Sequence, residues 1–402
     1  MNTKLIYLDH AATTQTRPEV VEAMLPWFSG HYGNPSSLYQ FGADSREAVA
    51  KARAAAAKAI GAQPEEIFFT AGGSESDNWA LKAAAETFAG KGSHIITSKI
   101  EHHAVLHSCG YLESRGCEIT YLEPDEYGRI SPEKVHEAVR PDTILVSVMA
   151  ANNEIGTIEP IREIGAAARE CGVPFHTDAV QAFAHIPINV DEMNIDMMSA
   201  SAHKFGGPKG VGFLYIRKGI PMRPLIHGGA QERNRRAGTE NVPAIVGLGK
   251  AVELALAEQE RENAVTAANR DYLIHRVLAE IPHVRLNGDP DQRLPGNANF
   301  SFSFIDGEAM LIMLDMKGIC ASAGSACASG LTDPSHVLLA IGQPPELAHG
   351  SLRLTLGPEN TREEIDYTVE QLKQITEQLR GMSPLYRDFL RKQEPQGSGS
   401  GS

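Results

Sequence analysis

Between Ile67 and Ile216 short apolar runs alternate with amphipathic helical stretches, and nothing else in the chain restricts its fold so tightly. The apolar runs are Ile67–Thr70, His94–Thr97, Ile119–Leu122, Thr143–Met149, Val173–Thr177, Asp196–Ala200 and Val211–Ile216. The helical stretches among them are Ser74–Ala89, His102–Ser114, Ser131–Ala138 and Ile161–Cys171. Strands joined through helices run parallel, because a parallel pair needs a long crossover whereas an antiparallel pair needs only a turn. The spacing therefore predicts an α/β protein built on a mostly parallel sheet. The last two runs are separated by a Gly/Pro turn without a helix, which predicts a hairpin and one antiparallel strand.

The flanks follow a different grammar. A short strand Leu5–Leu8 and a helix Asp44–Ile60, stopped by Gly61, come first. After the hairpin come a long Ala/Glu-rich helix Val242–His275, an alternating strand Asn299–Phe304, a helix Glu308–Asp315, a strand Arg353–Leu356 and a helix Thr361–Arg380. This predicts a large domain over 15–260 and a smaller α+β domain made of 1–14 and 261–385, with the boundary in the long helix. Residues 386–402 form a tail, whose last stretch, 393–402, ends as a Gly/Ser linker and is left out of the fold.

Composition narrows the partners. A net charge of −13 argues against nucleic acid or an anionic membrane surface. No apolar run approaches the ~18–20 residues of a bilayer span, and the first residues lack the basic-then-apolar order of a signal peptide. Five cysteines at irregular spacing, without a Cys-x-x-Cys pair, make neither a disulfide framework nor a structural zinc site. A reducing cytoplasm is the expected compartment.

Candidate chemistry clusters after the apolar runs, and ligands of open α/β sheets collect at the carboxyl ends of strands. Lys204 follows the run Asp196–Ala200 and precedes a Gly/Pro turn, among side chains of little bulk. Lysine is the usual Schiff-base residue because its ammonium loses a proton readily when buried. A solvated surface hairpin would show the same residues. After Ile67–Thr70 comes a Gly-rich turn with Gly73 and Ser74 directly before a helix, a pattern suited to phosphate. Ser74 with Asp77 also fits a plain N-cap. Asp178 and Gln181 follow Val173–Thr177 and could pair a protonated ring nitrogen and a ring hydroxyl, or Asp178 could simply cap a helix. His102 follows His94–Thr97 and offers a ring for stacking or proton transfer. Asn152, Asn153 and Glu154 form a polar cluster after Thr143–Met149. No carboxylate–histidine spacing supports a metal site. A phosphate cradle, a ring-nitrogen partner, a stacking ring and a Schiff-base lysine together are what pyridoxal phosphate requires.

At this point the chain resembles the cysteine desulfurases of the NifS/IscS type, within the class V aminotransferase group of fold-type I enzymes. The resemblance runs from the stretch Tyr7–Thr14 to about Leu385. It is carried by Gly33–Ser36, Glu75–Asn78, Glu101-His102, Asn152–Gly156, His176–Gln181, His203-Lys204, Gly206–Gly210, His227–Gly229, Arg236–Thr239 and Ser322–Ser329. It implies a fold-type I pyridoxal-phosphate-dependent transferase in which Lys204 holds the cofactor, His102 stacks on its ring, Asp178 pairs the ring nitrogen and Gln181 the ring hydroxyl. It further implies that Gly73, Ser74, Ser201 and His203 hold the phosphate, joined by Thr239 from the other subunit of a homodimer. Asn34, Asn153 and Arg353 are implied for the substrate, the arginine through a bidentate carboxylate pair.

The stretch Ser322–Ser329 resembles the family's long loop that bears the sulfur-accepting cysteine, here Cys327. Its Ala, Ser and Gly residues are too small-sided to pack firmly, so a mobile loop over about 320–332 with an exposed thiol is expected. A buried cysteine would sit better inside a regular apolar element. Cys320 reads as core, and Cys109, Cys117 and Cys171 read as structural. The implied reaction converts L-cysteine to L-alanine and a persulfide on Cys327. The sulfur then passes to an acceptor such as an iron–sulfur scaffold, for cluster assembly or thiolation. A selenocysteine lyase, a cystine β-lyase or a non-catalytic docking partner would share much of the pattern. The chain departs from the family at Ala202, where glycine is usual, at His10, where tyrosine is frequent, and at Gln15, where proline is common. None of these removes a group the chemistry needs.

Overall fold

The computed structural model describes residues 5–323 and 334–393. A seven-stranded sheet forms its centre, in the order Ile67–Thr70, Gly212–Ile216, Met197–Ser201, Phe175–Asp178, Thr143–Ser147, His94–Ser98, Glu118–Leu122. Gly212–Ile216 runs antiparallel to both neighbours, and every other pairing in this sheet is parallel. The predicted hairpin is thus present, with Met198 opposite Tyr215 and Ala200 opposite Phe213. Six of the strands are buried along their whole length, which is why they read as continuous apolar runs and not as alternation. The edge strand Glu118–Leu122 is mostly half-exposed and carries a charge and a threonine among its apolar residues.

Helices Gly73–Thr87, His103–Glu113, Pro132–Ala138 and Ile161–Glu170 connect the strands, each within one or two residues of its sequence-predicted span at the start. A three-stranded antiparallel sheet, in the order Ser351–Thr355, Asn297–Phe302, Val284–Asn287, forms a second layer. Ile6–Tyr7 pairs in parallel with Ile319–Cys320 beside it. The helix Val242–Glu280 spans 39 residues, about 58 Å at 1.5 Å per residue. Its first half buries Ile245, Leu248 and Val252 in the core of the central sheet. Its second half buries Leu273 and Val277 with Phe300, Phe302, Leu354 and Val369 in a separate core.

Both cores matter to the site because of where their strands end. The carboxyl ends of His94–Ser98, Thr143–Ser147, Phe175–Asp178 and Met197–Ser201 all lie at one edge of the parallel sheet. The segment Leu8–Thr14 crosses to that edge from the second layer. Thr355 N–H donates to Leu8 C=O at 2.8 Å, and Thr14 N–H donates to His203 C=O at 2.8 Å.

Candidate active site

Lys204 closes a single 3₁₀ turn, Ala202–Lys204, immediately after the strand Met197–Ser201. It is half-buried, not a solvated hairpin residue. Its Nζ donates to the carbonyls of Ala11 at 2.6 Å and Ala12 at 2.8 Å. Asp178 ends the strand Phe175–Asp178, is buried, and accepts from Val180 N–H at 2.8 Å through Oδ1. His102 caps the helix His103–Glu113, its Nδ1 accepting from Ala104 N–H at 3.1 Å. A neutral ring with Nδ1 accepting carries its proton on Nε2.

Burial dominates the electrostatics of this group. The Asp178 carboxyl is raised to about 6 by burial, against the pull of the Lys204 ammonium. His102 is lowered to about 4, first by burial and then by the positive charge of Lys204, so the imidazole is neutral at pH 7. His203 falls to about 4 for the same two reasons, and its Nδ1 lies 3.1 Å from Thr13 Oγ1.

A second acid stands behind the first. Asp77 is buried in the helix Gly73–Thr87, and burial followed by the negative charge of Asp178 raises its pKa well above the ordinary value. Two carboxyls so near each other disfavour ionising together, which adds to the burial acting on Asp77. Donor atoms of Asp77, His102 and Asp178 all lie within 4.8 Å of one another. That spacing would suit a cation, but the neighbouring Lys204 ammonium opposes one. A ring N–H suits Asp178 better, because it supplies a directed donor to a buried carboxylate.

The Gly-rich turn is built for close approach. Gly72 has φ +147°, and a Cβ on Gly73 would lie 2.5 Å from Val180 Cγ2. Gly72, the residue at the cap, offers no side chain to the first N–H groups of the helix. Those groups have no partner within any helix, so an anion can take them. Ser74 is exposed at this end, and the buried Ser201 faces the turn, its Oγ 3.5 Å from where a Gly72 Cβ would be.

Gln181 stands in place but is differently used: its Nε2 donates to Ala11 C=O at 2.9 Å, leaving its carbonyl oxygen for another group. Arg353 is fully buried in the strand Ser351–Thr355. Its Nη1 donates to Asn153 C=O at 2.9 Å, its Nη2 to Asp9 at 2.9 Å, and its Nε–H has no partner. Asn34 and Thr239 are exposed, and Asn34 Oδ1 accepts from Ser36 N–H at 2.9 Å. Cys327 lies outside the described residues.

Beyond the residues given a part in the chemistry from sequence, the structure brings in Asp77, Glu101, Asp9 and the carbonyls of Ala11 and Ala12. Asp77 had a signal: it occupies the first place of a buried 77, 80, 81, 84 stripe otherwise made of Ala and Leu. Glu101 is fully buried, accepts from Ser98 O–H and Met149 N–H through Oε1, and has an unpartnered Oε2. Burial raises it to about 8. Its folded pKa lies above the usual 4.5, so its contribution to stability is full below pH 4.5 and is lost as pH rises through 8. Glu101→Gln keeps both accepted hydrogen bonds and cannot ionise. The cofactor-free variant is expected to lose less melting temperature than the parent between pH 6 and pH 9 in a thermal-denaturation series. An equal loss in both proteins would contradict the assignment.

The site and the sheet define a class V aminotransferase. The aminotransferase class-V family model matches residues 6–368, and the chain belongs to that family. Within it the chain groups with the cysteine desulfurases of the NifS/IscS type. It is 57% identical over 382 residues to the cysteine desulfurase IscS of Methanosarcina thermophila, covering 95% of this chain and 94% of that protein. It is 56% identical over 393 residues to IscS of Clostridium botulinum strain Hall, covering 97% and 99%. Among solved structures it superposes on a NifS-like protein with TM-score 0.87 at 38% identity, covering 94% of this chain and all of that one. It also superposes on SspA in complex with cysteine, with TM-score 0.80 at 40% identity over 89% of this chain and all of that one.

Proposed function

We propose that this protein is a pyridoxal-phosphate-dependent cysteine desulfurase, converting L-cysteine to L-alanine and leaving the sulfur as a persulfide on Cys327. The observation that carries the reading is the meeting of Lys204, Asp178 and a neutral His102 at one sheet edge, together with an arginine that has an unpartnered buried N–H. The residues fit the cofactor: Lys204 would hold its aldehyde carbon, Asp178 its ring nitrogen and His102 its ring face. Gly73, Ser74, Ser201 and His203 would hold its phosphate, and Gln181, through its remaining oxygen, its ring hydroxyl. When bound, its pyridine ring takes up the charge left as the Cα proton departs.

The chain's own groups do the rest. Arg353 and Asn153 orient the amino acid through its α-carboxylate. Lys204 Nζ, released from its resting partners, moves the Cα proton. The Cys327 thiolate attacks the substrate sulfur: an S–S bond forms, the Cβ–S bond breaks, and Cβ keeps the electron pair and takes a proton to become the methyl group of alanine. The thiol proton and the Cα proton balance the product, so no outside oxidant or reductant enters.

L-cysteine as substrate is supported by the relatives' names and by the structural neighbour in complex with cysteine. A homodimer is supported by a run of exposed apolar residues, Val21, Leu25, Phe28, Tyr32, Leu38 and Phe41, near the exposed Asn34 in sequence. A second copy would supply the Thr239 that the family's pattern takes from the other subunit. The final acceptor is a protein that takes sulfane sulfur, such as an iron–sulfur scaffold. Among the described residues no helix is long and apolar enough to cross a membrane, and Cys109, Cys117, Cys171 and Cys320 are free thiols, which fits a reducing cytoplasm.

The test is product analysis. Cofactor-loaded protein given L-cysteine and a thiol reductant is expected to release L-alanine and sulfide in equal amounts. Without reductant, peptide mass analysis is expected to find one extra sulfur atom on the Cys327 peptide. Pyruvate and ammonia in place of alanine would overturn the reading in favour of a β-lyase.

A further inference from the structure

Asp9 takes no part in the chemistry above, yet it is the fixed counter-charge of the arginine assigned to the substrate. Its Oδ1 accepts from Arg353 Nη2 at 2.9 Å and its Oδ2 accepts from Ser322 Oγ at 2.8 Å. Ser322 and Arg353 are also joined through their backbones, Arg353 N–H to Ser322 C=O at 2.7 Å and Ser322 N–H to Arg353 C=O at 3.2 Å. Asp9 itself bridges to Thr355, on the same strand as Arg353. Three chain segments therefore converge on a single carboxylate.

A guanidinium is a rigid planar fork, so holding two of its nitrogens fixes its plane. Asn153 C=O holds Nη1 and Asp9 holds Nη2, which leaves the Nε–H buried and unpartnered. Arg353 is 1% exposed and Asp9 16%, so the pair is shielded and its geometry is set by protein alone. A buried cation without a counter-charge is strongly unfavourable. Removing Asp9 would therefore free the arginine to turn toward other acceptors and would leave its charge uncompensated.

We propose that Asp9 is a positioning residue for substrate recognition. It sets the plane of Arg353 so that the remaining N–H groups of its fork are held in the orientation that meets the α-carboxylate of the amino acid. It also ties that guanidinium to Ser322, which precedes Cys327 by five residues in the sequence. This rests on the reading of Arg353 as the carboxylate-binding residue. The competing effect is repulsion, since an aspartate beside the pocket opposes an incoming carboxylate. The two effects predict opposite signs for the loss of Asp9.

The experiment titrates cofactor-loaded protein with L-cysteine and with cysteamine, which is L-cysteine without its carboxylate, following the change in visible absorption. Wild type is expected to bind L-cysteine more tightly than cysteamine. In Asp9→Ala the affinity for L-cysteine is expected to fall at least about tenfold while that for cysteamine stays within about twofold. KM for L-cysteine should rise in parallel, with kcat held within about threefold. Asp9→Asn keeps a neutral acceptor for both partners and should show a smaller loss, of about threefold, again for L-cysteine alone; it carries the test if the alanine variant does not fold. Equal weakening of both amines, no change in either, or tighter L-cysteine binding would overturn the proposal. A wild type that does not discriminate the two amines would instead overturn the role of Arg353.

Discussion

Lys204→Ala is expected to lower cysteine turnover by at least about a thousandfold, because one change removes both the covalent attachment point and the group that moves the Cα proton. The loss alone would not separate a chemical role from a collapsed pocket, but the electrostatics of the site supply a second readout. After burial, the Lys204 ammonium is the largest force holding the His102 pKa down at about 4, and with the Val180 N–H hydrogen bond it opposes the burial that raises the Asp178 carboxyl to about 6. Removing the ammonium should therefore raise both pKa values in the cofactor-free protein. Lys204→Arg keeps the positive charge but offers no nucleophilic amine. Both variants should be inactive, and only Lys204→Ala should shift the His102 imidazole titration upward when it is followed by NMR. Turnover above a tenth of wild type in either variant would contradict the role of Lys204. An unmoved His102 in Lys204→Ala would contradict the proximity of the two groups.

The strands that carry these residues were legible because they are buried on both faces, so burial writes itself into the sequence as unbroken apolar runs. The hairpin was legible from the absence of a helix between two such runs. Elements with weaker burial left weaker marks. Val284–Asn287 has one buried residue among four and an exposed arginine, and it escapes a search for apolar runs. Ile319–Cys320 is two residues long, too short for any periodicity. The long helix reads to His275 but continues to Glu280, because no breaker precedes Pro282.

At the site the same logic separates what could be read from what could not. Lys204, Asp178 and His102 announced themselves as polar residues placed just beyond apolar runs. The carbonyls of Ala11 and Ala12 that hold Lys204 Nζ are backbone atoms, and no side-chain identity encodes them. Asp9 lies more than three hundred residues from both Ser322 and Arg353, so its role exists only once the fold has joined the three segments.

Cys327→Ala is expected to abolish sulfur release, with a fall of at least about a hundredfold in alanine formation, while leaving the absorption change on L-cysteine binding intact. The assignment is sharpened by the other four thiols. Burial raises Cys109 to about 12, so it is no nucleophile at neutral pH. Cys117 and Cys320 are also raised by burial. Cys171 stands at the carboxyl-terminal cap of the helix Ile161–Glu170. Cys320→Ala is the informative control, because Cys320 lies close in sequence to Ser322, the residue bonded to Asp9, and should retain near-wild-type turnover. The described residues on either side of Cys327 are tied to groups around the pocket. Ser322 bonds Asp9, while Ser335 O–H donates to the Glu154 carboxylate and His336 Nε2 lies 3.0 Å from Glu101 C=O. Alanine production that survives Cys327→Ala would mean sulfur leaves without a protein acceptor, as in a lyase. Loss of the absorption change as well would mean the substitution disturbed binding and not sulfur transfer.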